Sequence, residues 1–130
     1  MKLLRAAWKA CPVLLHALAG WRTIRFEFPG LDTGARNAAV QVWARRMLEL
    51  LEIGLVVQGQ PPVHGPVLLV ANHISWLDIL VMHAAQHCRF VSKSDVKGWP
   101  VVSTLATGAG TLYIERESRR DAMRVVHRMA

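Results

Sequence analysis

The stretch that decides the fold is Val67-Leu-Leu-Val-Ala-Asn-His-Ile-Ser-Trp-Leu-Asp78. It opens with five consecutive apolar residues, 67–71, and therefore lacks the alternation of polar and apolar side chains that a half-exposed strand shows. A strand without alternation is buried on both faces, which is typical of a parallel sheet covered by helices. We therefore predict that residues 67–71 form a central strand of an α/β domain.

The segments on either side of this strand continue the same pattern. Apolar residues at three- and four-residue steps predict helices over 32–51, with Gln41 and Arg45 on the polar face, and over 76–86. Three short apolar runs predict further strands: 54–58, 89–92 and 110–114. A short helix is expected within 98–107, and another helix from Ser118. The predicted fold class is α/β, a mostly parallel sheet flanked by helices and preceded by N-terminal amphipathic helices. We expect the sheet to be incomplete within these 130 residues.

Two chemically active side chains follow the predicted central strand. His73 lies just past its carboxyl end, where ligands bind in open α/β sheets, and Asp78 comes five residues later. Positions i and i+5 point about 140° apart on one continuous helix, so contact requires the histidine to precede the helix. An aspartate in the first helical turn would then hold one ring nitrogen, leaving the other free as a general base.

The same spacing has a purely structural interpretation. Ser75 and Asp78 match a capping box, with Ser75 as the N-cap and Asp78 as the third helical residue. On this interpretation His73 is an ordinary loop histidine. The spacing of two residues does not by itself decide between these interpretations.

Three segments resemble the glycerolipid acyltransferases, the 1-acylglycerol-3-phosphate acyltransferase family. Residues 72–78 match the family's first signature, Asn-His-x-Ser-x-x-Asp, at all four fixed positions. Residues 90–100 resemble the stretch after the family's second strand, with Asp95 where glutamate is usual. Residues 110–116 resemble the second signature, an apolar strand that ends in acid-arginine, with Glu115 where aspartate is more common.

The resemblance covers about residues 36–130 and implies roles for four of them. His73 would take the proton from the acceptor hydroxyl, and Asp78 would orient His73. Arg116 matches the arginine that holds the acceptor phosphate, and Lys93 is a weaker candidate for the same anion. The implied reaction moves a fatty acyl group from acyl-CoA or acyl-carrier protein to a lysophospholipid, foremost 1-acylglycerol-3-phosphate, in phospholipid biosynthesis. The acyl donor is a substrate, and neither a cofactor nor a metal is expected.

The positive charge is concentrated near the N-terminus. The chain carries 16 Lys and Arg against 9 Asp and Glu, a formal net charge of +7. Five of the bases precede the first acid, Glu27: Lys2, Arg5, Lys9, Arg22 and Arg25. The apolar run 11–21 between them is too short to span a bilayer but suits a helix in the headgroup region. We therefore divide the chain into a membrane-surface segment, residues 1–31, and the N-terminal part of an acyltransferase domain, 32–130.

Several alternatives stay open on the sequence. The basic segment also fits a cleaved secretory signal, a solvated tail or a nucleic-acid-binding arm, but no nucleic-acid motif follows it. The domain also fits a non-catalytic membrane-surface module, or a hydrolase that uses the His–Asp pair on water. His83 and His87 are four residues apart without a third ligand, so no metal site is predicted there.

Location and completeness are also predicted. The acyl donor is made in the cytoplasm, which favours the cytoplasmic face of the inner membrane. The family's third signature, Glu-Gly-Thr-Arg, does not occur before Ala130. We therefore expect the 130 residues to be a fragment or a truncated product with little or no activity alone.

Overall fold

The computed structural model describes residues 2–60 and 67–114, and the side chains of 8–60, 67–95 and 97–114. This part of the chain contains four α-helices and two short strands: α1 (Lys2–Phe26), α2 (Thr33–Leu50), α3 (Trp76–Ala85), β1 (Val91–Lys93), α4 (Pro100–Gly108) and β2 (Leu112–Ile114). A 3-10 turn at Phe28–Gly30 joins α1 to α2, and another at Ser94–Gly98 joins β1 to α4. The helix predicted from Ser118 lies outside the described residues.

The two strands form a parallel sheet. Val91 pairs with Leu112, and Lys93 pairs with Ile114. Parallel neighbours cannot be joined by a tight turn, and α4 lies in the long connection between them. The α/β fold class, with N-terminal helices and an incomplete parallel sheet in the described residues, is thereby confirmed.

Two of the predicted strands are absent from the described residues, and these predictions were wrong. Residues 54–58 and 67–71 have no regular secondary structure. The apolar run is also exposed instead of buried, and Val70 reaches 88% exposure. A strand requires a neighbour for its backbone hydrogen bonds, and within residues 2–60 and 67–114 β1 and β2 pair only with each other. Apolar composition alone does not supply that neighbour.

Helix α2 forms the centre of the described structure. It begins where the sequence predicts, because the Asp32 carboxylate accepts a hydrogen bond from the Ala35 backbone N–H at 2.8 Å. Its buried face packs on α3 in one apolar cluster: Ala44, Met47, Leu48, Leu80 and Ala84. The orientation of α3 is therefore set mainly by α2.

Helix α1 runs for 25 residues and includes Pro12. A reciprocal contact joins it to α2. His16 Nε2 donates to the Trp43 carbonyl, Trp43 Nε1 donates to the His16 carbonyl, both at 3.0 Å, and the two rings stack. Gly20 permits this approach, since a Cβ there would collide with the Trp43 ring. No helix in the described part of the chain is both long and apolar enough to cross a membrane.

Candidate active site

The candidate site lies at the start of α3. His73 is in the loop before the helix, and Asp78 is its third residue. His73 Nδ1 lies 3.3 Å from Asp78 Oδ2. The structure therefore brings the two residues of the first signature together, in the arrangement that their spacing required.

The capping box is built from the same residues. Ser75 is the N-cap of α3, and its hydroxyl accepts from the Leu77 backbone N–H at 3.2 Å. Asp78 Oδ2 accepts from the backbone N–H groups of Ile74 at 2.7 Å and Ser75 at 2.9 Å. The structural and the chemical interpretations are thus compatible, because the oxygen that caps the helix is also the one beside His73.

These contacts favour the ionised form of the carboxylate. The backbone N–H groups of Ser75 and then Ile74, together with the nearby His73, hold the pKa of Asp78 below its ordinary value, although burial acts in the opposite direction. Asp78 is therefore ionised at neutral pH and can only accept hydrogen bonds. When His73 is neutral, its Nδ1 then carries the proton and Nε2 is the free base. The His73 side chain is 63% exposed, so a substrate can reach it.

A cavity of about 2080 Å³ adjoins this pair. Both His73 and Asp78 line it, together with apolar side chains from all four described helices, among them Ile24, Trp43 and Ile79. Ligand pockets for small molecules commonly measure about 300–1,000 Å³. The open cavity therefore has room for more than a small polar substrate beside the histidine.

The structure describes only one of the two basic residues implied by the resemblance. Lys93 is the last residue of β1 and is exposed, and it does not line the cavity that His73 lines. Arg116 lies outside the described residues. Within the described part of the chain, the site thus consists of His73, Asp78 and the backbone that holds them.

Two further histidines, His83 and His87, lie deeper in the structure. His83 is 4% exposed, and its Nδ1 is buried without a hydrogen-bond partner. Burial, and then the neighbouring His87, lower the pKa of His83 to about 4. No group of three or more His, Cys, Asp or Glu side chains suited to a metal occurs in the described residues. The three-residue step from Leu80 to His83 is the signal in the sequence that places His83 on the buried face of α3.

Sequence reasoning missed two residues that hold the end of the helix on which Asp78 lies. Gln41 and Arg45 were placed on the polar face of α2, yet both form partly buried hydrogen bonds to the end of α3. A polar residue beside an apolar stripe looks the same whether it faces water or a neighbouring helix end. Gln41 and Arg45 are four residues apart and so share one face of α2, but the sequence does not show that a helix end lies against that face.

Known proteins are similar to this chain in sequence. The family model described as Acyltransferase matches residues 54–130. The chain belongs to the acyltransferase family. It is similar to the 1-acyl-sn-glycerol-3-phosphate acyltransferase of Neisseria meningitidis serogroup B, with 45% identity over 96 residues, which are 71% of this chain and 38% of that protein. The glycerolipid acyltransferase resemblance seen in the sequence is thus confirmed.

Other relatives are acyltransferases named for a different acceptor. The lyso-ornithine lipid O-acyltransferase of Pseudomonas aeruginosa is 40% identical over 102 residues, 78% of this chain and 39% of that protein. The enzyme of the same name from Rhizobium meliloti is 40% identical over 90 residues, 69% of this chain and 31% of that protein. The chain spans less than two fifths of the length of these acyltransferases. No solved structure matches it.

Proposed function

We propose that the protein containing this chain is an O-acyltransferase of phospholipid biosynthesis. It transfers a fatty acyl group from acyl-CoA or acyl-carrier protein to the free hydroxyl of 1-acylglycerol-3-phosphate. The observation that carries the proposal is the 3.3 Å contact between His73 Nδ1 and Asp78 Oδ2 beside an apolar cavity. Membership of the acyltransferase family supports the reaction class.

The proposed reaction uses the substrate's own hydroxyl as the nucleophile. His73 Nε2 takes the hydroxyl proton while that oxygen attacks the thioester carbonyl. The ester bond forms, the carbon–sulfur bond breaks, and the proton passes from His73 to the leaving thiolate. Asp78 stabilises the imidazolium that exists between these steps. General-base catalysis of this kind contributes about 10²–10⁴ in rate.

Recognition of the acceptor phosphate is assigned to the two basic residues. Arg116 offers a planar fork of donors that suits a phosphate, and Lys93 adds a second positive charge. Lys93 stands at the carboxyl end of β1, the edge where parallel sheets bind ligands.

We also propose that residues 1–31 dock on the cytoplasmic face of the membrane. One face of α1 exposes large apolar side chains, with Trp8 at 83%, Leu15 at 60% and Leu18 at 53%. Arg22 and Arg25 are exposed and lie one and two turns further along that face. The opposite face of α1 packs on α2. An exposed apolar stripe that ends in bases suits an anionic lipid surface.

The function is tested with the complete gene product, labelled acyl-CoA and lysophosphatidate in mixed vesicles. A new phosphatidate ester is expected, and His73→Ala should lower its rate at least 100-fold because the general base is lost. Asp78→Asn should also lower the rate strongly. His87→Gln, which keeps a donor for the Ala109 carbonyl, is the matched histidine control and should leave the rate nearly unchanged.

Other products would contradict the proposal. Release of free fatty acid in place of an ester would identify a hydrolase. Vesicle binding without any acyl transfer, from either donor, would identify a non-catalytic membrane module.

A second acceptor is favoured by one comparison. The Pseudomonas relative named for lyso-ornithine lipid covers 78% of the chain at 40% identity. Both lysolipids should therefore be supplied in competition. Preferential esterification of lyso-ornithine lipid would replace the acceptor proposed above and leave the role of His73 intact.

A further inference from the structure

Two side chains of α2 hold the C-terminal end of α3. Gln41 Nε2 donates to the Ala85 carbonyl at 2.9 Å and to the Ala84 carbonyl at 3.4 Å. Arg45 Nε donates to the same Ala84 carbonyl at 2.8 Å. The last carbonyls of an α-helix have no partner within the helix, and these donors supply one. We call Gln41 and Arg45 the α3 clamp.

The clamp provides what the apolar contact beneath it lacks. There α2 and α3 meet through Ala44 and Ala84, both fully buried, and through aliphatic side chains. Apolar burial is non-directional, and an interface of small side chains is too smooth to prevent one helix from sliding or rotating against the other. Hydrogen bonds are directional, so the clamp selects one axial position and one rotation of α3. The positive charge of Arg45 also suits the negative end of the helix dipole.

Movement of α3 would move the candidate active site. Asp78 lies on the same helix, about 10 Å before Ala85. The hydrogen bonds and ion pairs of the described residues tie the loop 67–75 only to α3, through Asp78 and Leu77. The rest of that loop, residues 67–74, is exposed and without regular structure. His73 therefore takes its position from α3, and α3 takes its position from the clamp.

We propose that Gln41 and Arg45 are positioning residues that set the His73–Asp78 pair for acyl transfer. This inference rests on the acyltransferase function proposed above. It assigns a role to two side chains that form no hydrogen bond with His73 or Asp78. A displacement of about 1 Å at a reacting centre can cost about 100-fold in rate, so a loose clamp should be visible in kcat.

The test is Arg45→Met in the complete gene product, with kcat and KM measured for both substrates. Methionine keeps the apolar stem and removes the donor and the charge. We expect kcat to fall 10- to 100-fold while both KM values stay within twofold, because the substrates are bound by other groups. Arg45→Lys, which can still donate to the Ala84 carbonyl, should recover part of the loss.

The chain supplies a matched control in the next residue. Arg46 is exposed, and its ion pair with Glu49 at 2.8 Å lies within α2, so Arg46→Met removes the same charge without touching α3. Its kcat should equal that of the wild type. All rates are taken well below each variant's melting temperature and per mole of folded protein. If Arg45→Met does not fold, Gln41→Leu and Arg45→Lys carry the test in its place.

Three results would overturn the inference. In the first, Arg45→Met lowers the melting temperature but leaves kcat of the folded enzyme unchanged. In the second, Arg45→Met raises KM and does not change kcat. In the third, Arg46→Met reduces kcat as much as Arg45→Met does. In each case the clamp has no positioning role, while loss of activity in His73→Ala still upholds the proposed function. A wild-type protein without acyl transfer removes the proposed function and the inference together.

Discussion

At the scale of single residues, Asp78 performs two tasks with one oxygen. Its Oδ2 accepts hydrogen bonds from the Ile74 and Ser75 backbone N–H groups, just before α3, and also lies beside His73 Nδ1. The helix cap keeps the carboxylate ionised and still, which is the state required for it to orient a general base. Replacement of this residue therefore affects the helix and the histidine together.

His83 gives the protein an acid-sensitive point away from the site. Its pKa is lowered from the ordinary 6.5 to about 4, first by burial and then by the nearby charge of His87. Between these two pH values the unfolded chain binds more protons at this position than the folded chain does. The contribution of His83 to stability is therefore complete above pH 6.5 and is lost as the pH falls towards 4.

We predict that His83→Leu flattens this pH dependence. Denaturant unfolding at pH 7.5, 6, 5 and 4.5 should show the wild type losing up to about 3 kcal/mol more than the variant over this range. Val42→Ser, at an exposed position of α2 without a titratable group, is the control and should follow the wild type. Parallel curves for the wild type and His83→Leu would show that the buried ring does not titrate in this way.

At the scale of elements, the crossing of α1 over α2 depends on one missing side chain. Gly20 faces the Trp43 ring, and His16 and Trp43 exchange two hydrogen bonds one turn away. Any larger residue at position 20 must push the two helices apart. This crossing sets which face of α1 remains exposed.

We predict that Gly20→Val lowers the free energy of unfolding by about 1–3 kcal/mol, the usual cost of overpacking. Ala19→Val is the matched control, because Ala19 is adjacent in the sequence and exposed. It should change stability by only a few tenths of a kcal/mol, through helix propensity. Equal effects of the two variants in denaturant unfolding would contradict the close crossing.

At the scale of the whole molecule, apolar surface is unevenly distributed. Trp8, Leu15 and Leu18 are exposed on α1, and Leu68 and Val70 are exposed in the loop before the site. Soluble monomers rarely present extended apolar patches unless these bind something. The two patches differ in charge. Basic residues accompany the apolar patch on α1, whereas the patch in the loop has no charged residue over 67–71.

We predict that the α1 patch binds anionic membranes. Leu15→Ser with Leu18→Ser should abolish flotation with vesicles of phosphatidylglycerol and phosphatidylcholine. Arg22→Gln and Arg25→Gln should each weaken binding about fivefold, since a base near an anionic leaflet contributes about 1 kcal/mol. The charge effect should shrink in high salt.

The control for this prediction is Val42→Ser, which removes an apolar side chain that is 66% exposed on α2, outside the patch. It should bind vesicles like the wild type. Unchanged flotation of the Leu15→Ser, Leu18→Ser protein would show that α1 is not the docking element.

The inactivity expected of the 130 residues alone stays a prediction.

The sequence by itself determined the local features of this protein. The capping box at Ser75 and Asp78 and the contact of His73 with Asp78 join residues within five positions of each other. Such contacts need only the correct backbone in one turn, so spacing is enough to predict them. The described helices and the α/β class with a mostly parallel sheet were predicted from the order and periodicity of the segments.

Only the tertiary structure decided which surfaces meet. The α3 clamp joins residues 39 to 44 positions apart, and the His16–Trp43 contact joins residues 27 apart. The predicted strand over 67–71 failed for the same reason, because no described strand lies beside it. Periodicity identifies an apolar or polar face, but burial and hydrogen bonding depend on what the rest of the chain places against that face.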